Sequence, residues 1–163
     1  MSLSEDARIP PAPAVPPGTA PRPAGTWLRV VEVHDRITRR VDSALHRRHG
    51  LSLTGFEALR RIADAPGERA SMGEVAEALG LSRPGVTSTV SRLVADGLVR
   101  RERVDADRRV LHARLTDAGR RRVAEAAITH DELVAQLLTP LGDDAAVVTD
   151  ALARVSAAAR SRR

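Results

Sequence analysis

Two short predicted helices, joined at a single glycine, limit the fold of this chain more than any other feature. Ser71 and Glu74 have the spacing of a capping box, so the first of these helices is predicted to begin after Ser71. It ends at Gly80, because glycine adopts the left-handed turn conformation without a steric cost. Ser82 can cap the second helix, predicted over residues 83–95. Two short helices joined in this way form a helix-turn-helix.

The second helix has one apolar and one polar face. The apolar stripe is predicted to pack on the core and consists of Val86, Val90, Leu93 and Val94. The candidate DNA-binding residues lie on the opposite face and at its two ends: Ser82, Arg83, Thr87, Ser88, Ser91 and Arg92. No acidic residue occurs from Arg83 to Arg92, whereas solvated helix faces usually carry glutamate. This face fits the major groove of DNA; the alternative is a helical hairpin with a solvated face.

Two extended runs, Leu98–Val104 and Val110–Leu115, follow and predict a hairpin whose tip contains residues 105–108. Such a wing can place arginine in the minor groove next to a recognition helix, where the potential is most negative. The candidate DNA-binding residues of the wing are Arg101, Asp107, Arg108 and Arg109. Asp107 is predicted to orient the tip arginines through an ion pair.

A shorter helix precedes the helix-turn-helix. Thr54 and Glu57 form a Thr-x-x-Glu capping box, which predicts that this helix begins there. Its predicted buried face consists of Phe56, Leu59, Ile62 and Ala63. The run Ala65-Pro66-Gly67 is predicted to end it.

Three longer helices are predicted outside this segment, over residues 27–48, 117–139 and 144–160, with Thr116 capping the second of them. Each has a continuous apolar stripe. Together the stripes exceed what a small winged domain can cover, so we predict that they form one homodimer interface.

The composition excludes several classes of protein. The chain of 163 residues has no cysteine, so disulfides and Cys-ligated zinc are excluded, and no cofactor or metal is expected. Its formal net charge is +5. Its aromatic residues are only Trp27 and Phe56, and this scarcity argues against recognition of single strands by base stacking. No apolar window is long enough to span a membrane, and we expect a cytoplasmic location.

Residues 51–119 resemble the MarR family of winged-helix regulators. The motifs that carry the resemblance are Leu79-Gly80-Leu81-Ser82-Arg83, Arg92-Leu93-Val94-Ala95-Asp96-Gly97-Leu98-Val99, Asp107-Arg108-Arg109 and Leu115-Thr116-Asp117-Ala118-Gly119. With the order of the helices, the resemblance extends over about residues 27–160. It implies that Asp107 holds Arg109 for the minor groove. It also implies a homodimer on a pseudo-palindromic operator of double-stranded DNA, released by a small-molecule effector, often aromatic and anionic.

Four residues are candidates for binding such an effector: Trp27, His34, Arg36 and His130. His34 and His130 lie on apolar stripes, and an imidazole in an apolar cleft can hold a carboxylate or phenolate. The alternative is that each histidine is a satisfied core or interface residue.

The expected fold is therefore mainly α with a small β-wing, a winged helix-turn-helix plus a helical dimerisation region. Its expected parts are a disordered Pro-rich tail (1–25), a dimerisation helix (26–53), the DNA-binding region (54–116) and C-terminal dimerisation helices (117–163). The expected function is sequence-specific transcription regulation, with repression as the family's usual outcome, and not catalysis, since no phosphate loop or nucleophile elbow is visible. The alternatives are a sequence-neutral architectural DNA-binding protein and a winged-helix module that binds proteins.

Overall fold

The computed structural model describes residues 22–104 and 107–160, and the chain divides into two compact units, residues 1–34 and 35–163. The elements of the described residues, in chain order, are α1 (Pro23–His49), α2 (Leu53–Ala63), β1 (Arg69–Ser71), α3 (Met72–Leu79), α4 (Arg83–Ala95), β2 (Val99–Val104), β3 (Asp107–Leu115), α5 (Asp117–Leu138) and α6 (Ala145–Arg160). The expected fold class, mainly helical with a small β-wing, is confirmed.

The helix-turn-helix forms where local signals predicted it. Ser71 and Glu74 make both hydrogen bonds of the capping box: the Ser71 backbone N–H donates to the Glu74 carboxylate at 2.7 Å, and the Glu74 N–H donates to the Ser71 hydroxyl at 3.2 Å. Gly80 ends α3 in the left-handed conformation, with φ 63°. The Ser82 hydroxyl accepts from the Gly85 N–H at the start of α4.

The predicted capping box of α2, Thr54 with Glu57, is wrong. The helix begins at Leu53 and its N-cap is Ser52, whose hydroxyl accepts from the Gly55 N–H at 3.1 Å. The Leu53 N–H donates instead to the carboxylate of Asp42 on α1, at 2.7 Å. A side chain eleven residues away therefore satisfies the helix start, and Thr54 is left inside the first turn.

The sheet has three antiparallel strands in the order β1-β3-β2. Its third strand, β1, was not predicted, because three residues are too few to show a period. The second strand of the wing also extends further toward the tip than predicted: β3 begins at Asp107, which pairs with Val104, the predicted end of the first strand. The backbone of residues 107–109 therefore belongs to a strand, whereas we predicted that residues 105–108 form the tip.

The core of the second unit lies between α2, the helix-turn-helix and one face of the sheet. Its largest fully buried side chains are Phe56, Leu45, Leu59, Ile62, Leu115, Val41, Val75 and Val90. The start of α5 is attached to this core through Leu98, whose carbonyl accepts from the Thr116 backbone N–H at 3.1 Å. The Thr116 hydroxyl donates to the Gly97 carbonyl at 2.7 Å and shares its proton with the Leu98 carbonyl at 3.1 Å. The Thr116 hydroxyl also caps α5, as predicted.

The terminal helices differ from the prediction in their bounds. Helix α1 begins at Pro23, four residues before the expected start at Trp27, so residues 23–25 are helical and not part of a tail. The rest of the predicted Pro-rich tail, residues 1–21, lies outside the described residues. None of the helices in the described ranges is long and apolar enough to cross a membrane.

Candidate nucleic-acid interface

Helix α4 presents a polar face that the core leaves open. Val86, Val90 and Leu93 are buried, as the apolar stripe predicted, and Val94 is partly buried. The six candidate residues on and beside the opposite face are all exposed: Ser82, Arg83, Thr87, Ser88, Ser91 and Arg92. The structure thus places these groups on one continuous surface of hydroxyls and guanidiniums.

Hydrogen bonds divide the hydroxyls of this face into two kinds. The Thr87 hydroxyl donates to the Arg83 carbonyl at 2.9 Å, and the Ser91 hydroxyl donates to the Thr87 carbonyl at 2.7 Å. The protons of these two hydroxyls are therefore engaged by the helix backbone, one turn back. Within the described part of the chain, the Ser88 hydroxyl and the Arg83 guanidinium make no such bond. Arg83 and Ser88 therefore keep side-chain donors available for a base edge, as do Ser82, whose hydroxyl only accepts from Gly85, and Arg92.

Arg101 connects the wing to α4. Its guanidinium donates to the Ser91 hydroxyl at 2.6 Å. Along β2, Val99 and Arg101 share the sheet face that carries the buried Ala113 and Leu115, so Arg101 extends from the core-facing side toward the helix. The sequence named Arg101 and Ser91 separately as DNA-binding residues, and their contact with each other was not predicted.

A small cleft lies between the start of α2 and α4. Its lining includes Ser88 and Arg92, both candidate DNA-binding residues, together with Asp96 and Ser52. The sequence assigned Ser52 to no site. The only signal for it was its position before an apolar run, where serine commonly caps a helix.

For the other three candidate DNA-binding residues of the wing, the structure describes only the backbone. Asp107, Arg108 and Arg109 lie in β3. Their side chains fall outside the described residues, so the predicted pair between Asp107 and Arg109 stays a prediction.

The first turn of α3 is reinforced electrostatically. The pKa of Glu74 is lowered from its ordinary value, chiefly by the hydrogen bond from the Ser71 backbone N–H and then by that from the Ser71 side chain. The carboxylate is therefore charged at neutral pH and holds the turn from which the helix-turn-helix begins.

The four candidate effector residues fall in both units. Trp27 and His34 belong to the first unit, where the Trp27 side chain is exposed. In the second unit Arg36 is exposed on α1, whereas His130 is half-buried on α5. The His130 ring lies 5.0 Å from the Phe56 ring, and its Nδ1 lies 2.7 Å from the carboxylate of Asp131. These contacts agree with the alternative interpretation of His130 as a satisfied core residue. Among the described residues no cluster of three or more His, Asp or Glu side chains is placed to hold a metal.

Comparison with known proteins gives a consistent set of relatives. A family model described as MarR family matches residues 49–110. The solved structure of AbsC, a MarR family transcriptional regulator from Streptomyces coelicolor, is 27% identical with a TM-score of 0.76, over 84% of this chain and 93% of that one. Sco3205, a MarR family transcriptional regulator from the same organism solved in complex with DNA, is 27% identical with a TM-score of 0.74, over 81% of this chain and 84% of that one.

A MarR family transcriptional regulator from Silicibacter pomeroyi is 30% identical with a TM-score of 0.67. That match covers 83% of this chain and 93% of the relative. No curated protein sequence matches the chain.

Proposed function

The chain belongs to the MarR family of DNA-binding transcription regulators, and we propose that it is a homodimeric repressor that reads a pseudo-palindromic operator. One observation carries the proposal: the exposed face of α4 is free of acidic groups and is held against an arginine of the wing through the bond between Arg101 and Ser91. Sco3205, which is similar over most of its length, binds DNA in its solved structure, and this supports the same partner here.

In this proposal the parts of the chain divide the work. Residues 54–116 bind DNA, with Arg83 and Ser88 at base edges and Arg92 and Arg101 at phosphates. Arg109 at the wing contacts the minor groove and is oriented by Asp107, as the family motif implies, with Arg108 beside it. Residues 26–53 and 117–163 supply the dimer interface.

The apolar residues left exposed on the C-terminal helices support the dimer. Val147, Leu152 and Val155 lie on one stripe of α6 and are 67%, 50% and 67% exposed. Apolar stripes of this kind in a helix of a soluble regulator mark a protein–protein interface. A two-fold dimer would place the two copies of α4 about 34 Å apart, one turn of DNA.

We further propose that a small aromatic acid releases the operator. His130 links this part of the proposal to the DNA-binding part, because its ring lies 5.0 Å from the buried Phe56 ring at a tilt of 32°. A ligand that moved His130 would therefore act directly on α2. Trp27, His34 and Arg36 remain the other proposed contacts.

A footprint over the DNA upstream of the gene for this protein tests the proposal. The expected result is one protected palindromic segment, and addition of an aromatic acid should abolish the protection. Uniform protection of unrelated duplexes would identify an architectural protein instead. If neither the upstream DNA nor unrelated duplexes were protected at low salt, the chain would be a winged-helix module that binds proteins.

A further inference from the structure

The outer face of the wing sheet carries a row of three arginines, which we call the outer arginine row: Arg69, Arg114 and Arg100. They lie on β1, β3 and β2 and pair directly in the register, Arg69 with Arg114 and Arg114 with Arg100. Neighbouring strands are about 4.8 Å apart, so the row spans about 10 Å. None of the three was a candidate site residue from the sequence.

One carboxylate lies within ion-pair distance of all three guanidiniums. Glu102 lies 3.8 Å from Arg69, 3.6 Å from Arg100 and 3.7 Å from Arg114. These are ion-pair distances, too long for good hydrogen bonds. The group therefore has a net charge of +2, and its guanidinium N–H donors make no hydrogen bond to the residues that the structure describes. The side chains are 40%, 59% and 39% exposed, for Arg69, Arg100 and Arg114 respectively.

The row is separate from the surface of α4. Side chains alternate between the two faces along a strand, so Arg100 points away from the face on which Arg101 reaches Ser91. It is nevertheless fixed relative to α4, because both arginines belong to the same strand. An anion bound by the row would thus lie at a defined position beside the DNA-reading surface.

The chemistry of this face favours phosphate over a protein partner. The next row of the same face consists of Ser71, His112 and Glu102, so the two rows contain no apolar side chain. Protein interfaces have a more apolar, desolvated centre in which aromatic anchors are enriched, and these two rows offer no apolar or Trp, Tyr or Phe side chain for one. Arginine, in contrast, presents a planar fork of donors that matches phosphate oxygens.

We propose that the outer arginine row binds the phosphate backbone of operator DNA that lies outside the segment read by α4 and the wing tip. The inference rests on the proposed function, since it requires a bound operator. Its consequence is that affinity depends on flanking duplex of any sequence, which the row holds against the outer side of the wing.

The test compares two duplexes that contain the same footprinted operator, one of about 20 base pairs, enough for two half-sites, and one of about 40 base pairs with arbitrary flanks. The variant replaces Arg69, Arg100 and Arg114 with glutamine. A control replaces Arg39, Arg40 and Arg121 with glutamine. These residues are exposed on α1 and α5, and their replacement lowers the net charge by as much as that of the row. Affinity is measured by fluorescence anisotropy over a salt series.

The row variant should bind the long duplex about tenfold more weakly than wild type, and its salt slope should be smaller by about 0.9 for each phosphate that the row no longer neutralises. It should bind the short duplex as the control does, because both variants lose three positive charges, and this binding also shows that it is folded. The control should bind both duplexes more weakly than wild type, by the same factor for each duplex.

The proposal is overturned if the row variant behaves like the control on both duplexes, or if it binds both duplexes like wild type. If the triple variant does not fold, the single variant Arg100→Gln, at the most exposed of the three positions, replaces it. This variant must also bind the long duplex more weakly and the short duplex normally, with a smaller loss of affinity. Wild type that binds neither duplex would instead refute the proposed function.

Discussion

Replacing Gly119 with alanine should detach the start of α5 from the DNA-binding part. Gly119 is buried in the first turn of α5, and a Cβ there would lie 3.0 Å from the Leu98 carbonyl carbon and closer still to its oxygen. Backbone cannot yield as a flexible side chain does. The Leu98 carbonyl would have to move, and with it the two hydrogen bonds that it accepts from Thr116.

The cost follows from these contacts. Overpacking in a core costs about 1–3 kcal/mol, and weakening the bond from the Thr116 N–H costs about 1 kcal/mol, whereas the Thr116 hydroxyl keeps its 2.7 Å bond to the Gly97 carbonyl. Alanine offsets at most about 1 kcal/mol of this through helix propensity. We therefore expect the free energy of unfolding to fall by about 1–3 kcal/mol, measured by urea denaturation at one fixed protein concentration.

Gly73→Ala is the matched control. Gly73 is exposed in the first turn of α3, and a Cβ there would meet only the Ser71 hydroxyl at 3.9 Å, an ordinary contact. This variant should be more stable than wild type by about 0.4–1 kcal/mol, because alanine restricts the unfolded chain. If Gly119→Ala were as stable as Gly73→Ala, the close approach of α5 to Leu98 would be refuted.

Three further predictions concern the cap, the wing and the dimer. Ser71→Ala should lower stability by about 1 kcal/mol in urea denaturation. Because the pKa of Glu74 is lowered on folding, its carboxylate stabilises the folded state above the ordinary glutamate pKa of about 4.3, and this stabilisation is lost as the pH falls through the folded-state pKa. Wild type should therefore be more stable than Glu74→Gln at neutral pH, and the two should become equally stable in acid. Ser91→Ala should weaken operator binding by about 1 kcal/mol in anisotropy titrations, because it removes the bond between wing and helix, and Arg101→Ala should weaken it more, because it also removes the proposed phosphate contact. Wild-type affinity for Ser91→Ala would show that this bond does not position the wing. Leu152→Glu places a charge on the exposed stripe of α6 and should give monomers in light scattering at micromolar concentration, whereas an unchanged dimer would place the interface elsewhere.

Local signals predicted the parts of the fold that depend on near neighbours. The capping box of Ser71 with Glu74, the turn at Gly80 and the cap at Ser82 each involve residues within four positions of one another, and all three form as predicted. Thr116 at the start of α5 belongs to the same class.

Contacts between distant residues account for what the sequence did not predict. Thr54 and Glu57 satisfy the pattern of a capping box, but Asp42 and Ser52 satisfy the first amides of α2 instead. Strand β1 exists only through its pairing with β3, because its three residues carry no pattern of their own. Such errors follow from reading a chain locally, since Asp42 and β3 lie on other elements. Ser52, in contrast, is a local cap three residues before Gly55.

The candidate interface shows the same division. The composition of α4 predicted its polar face, because a helical period alone places Arg83, Thr87, Ser88 and Ser91 together. The period does not show that Thr87 and Ser91 donate to backbone carbonyls, nor that Ser91 accepts from Arg101, ten residues along the chain. Arg83 was predicted from the sequence to read bases, whereas the choice of Ser88 over Thr87 and Ser91 required the structure.

The central claim is that the exposed face of α4 reads base sequence, and competition between operator and random duplex tests it most directly. The specificity ratio of wild type, Arg83→Ala, Ser88→Ala and the control Arg39→Ala is measured at one salt concentration. Arg83→Ala should bind the operator more weakly by about 1–3 kcal/mol and random duplex by much less, so its ratio falls, while the ratio of Arg39→Ala stays at the wild-type value. Equal weakening on both duplexes for Arg83→Ala and Ser88→Ala would make these residues backbone contacts and contradict the account.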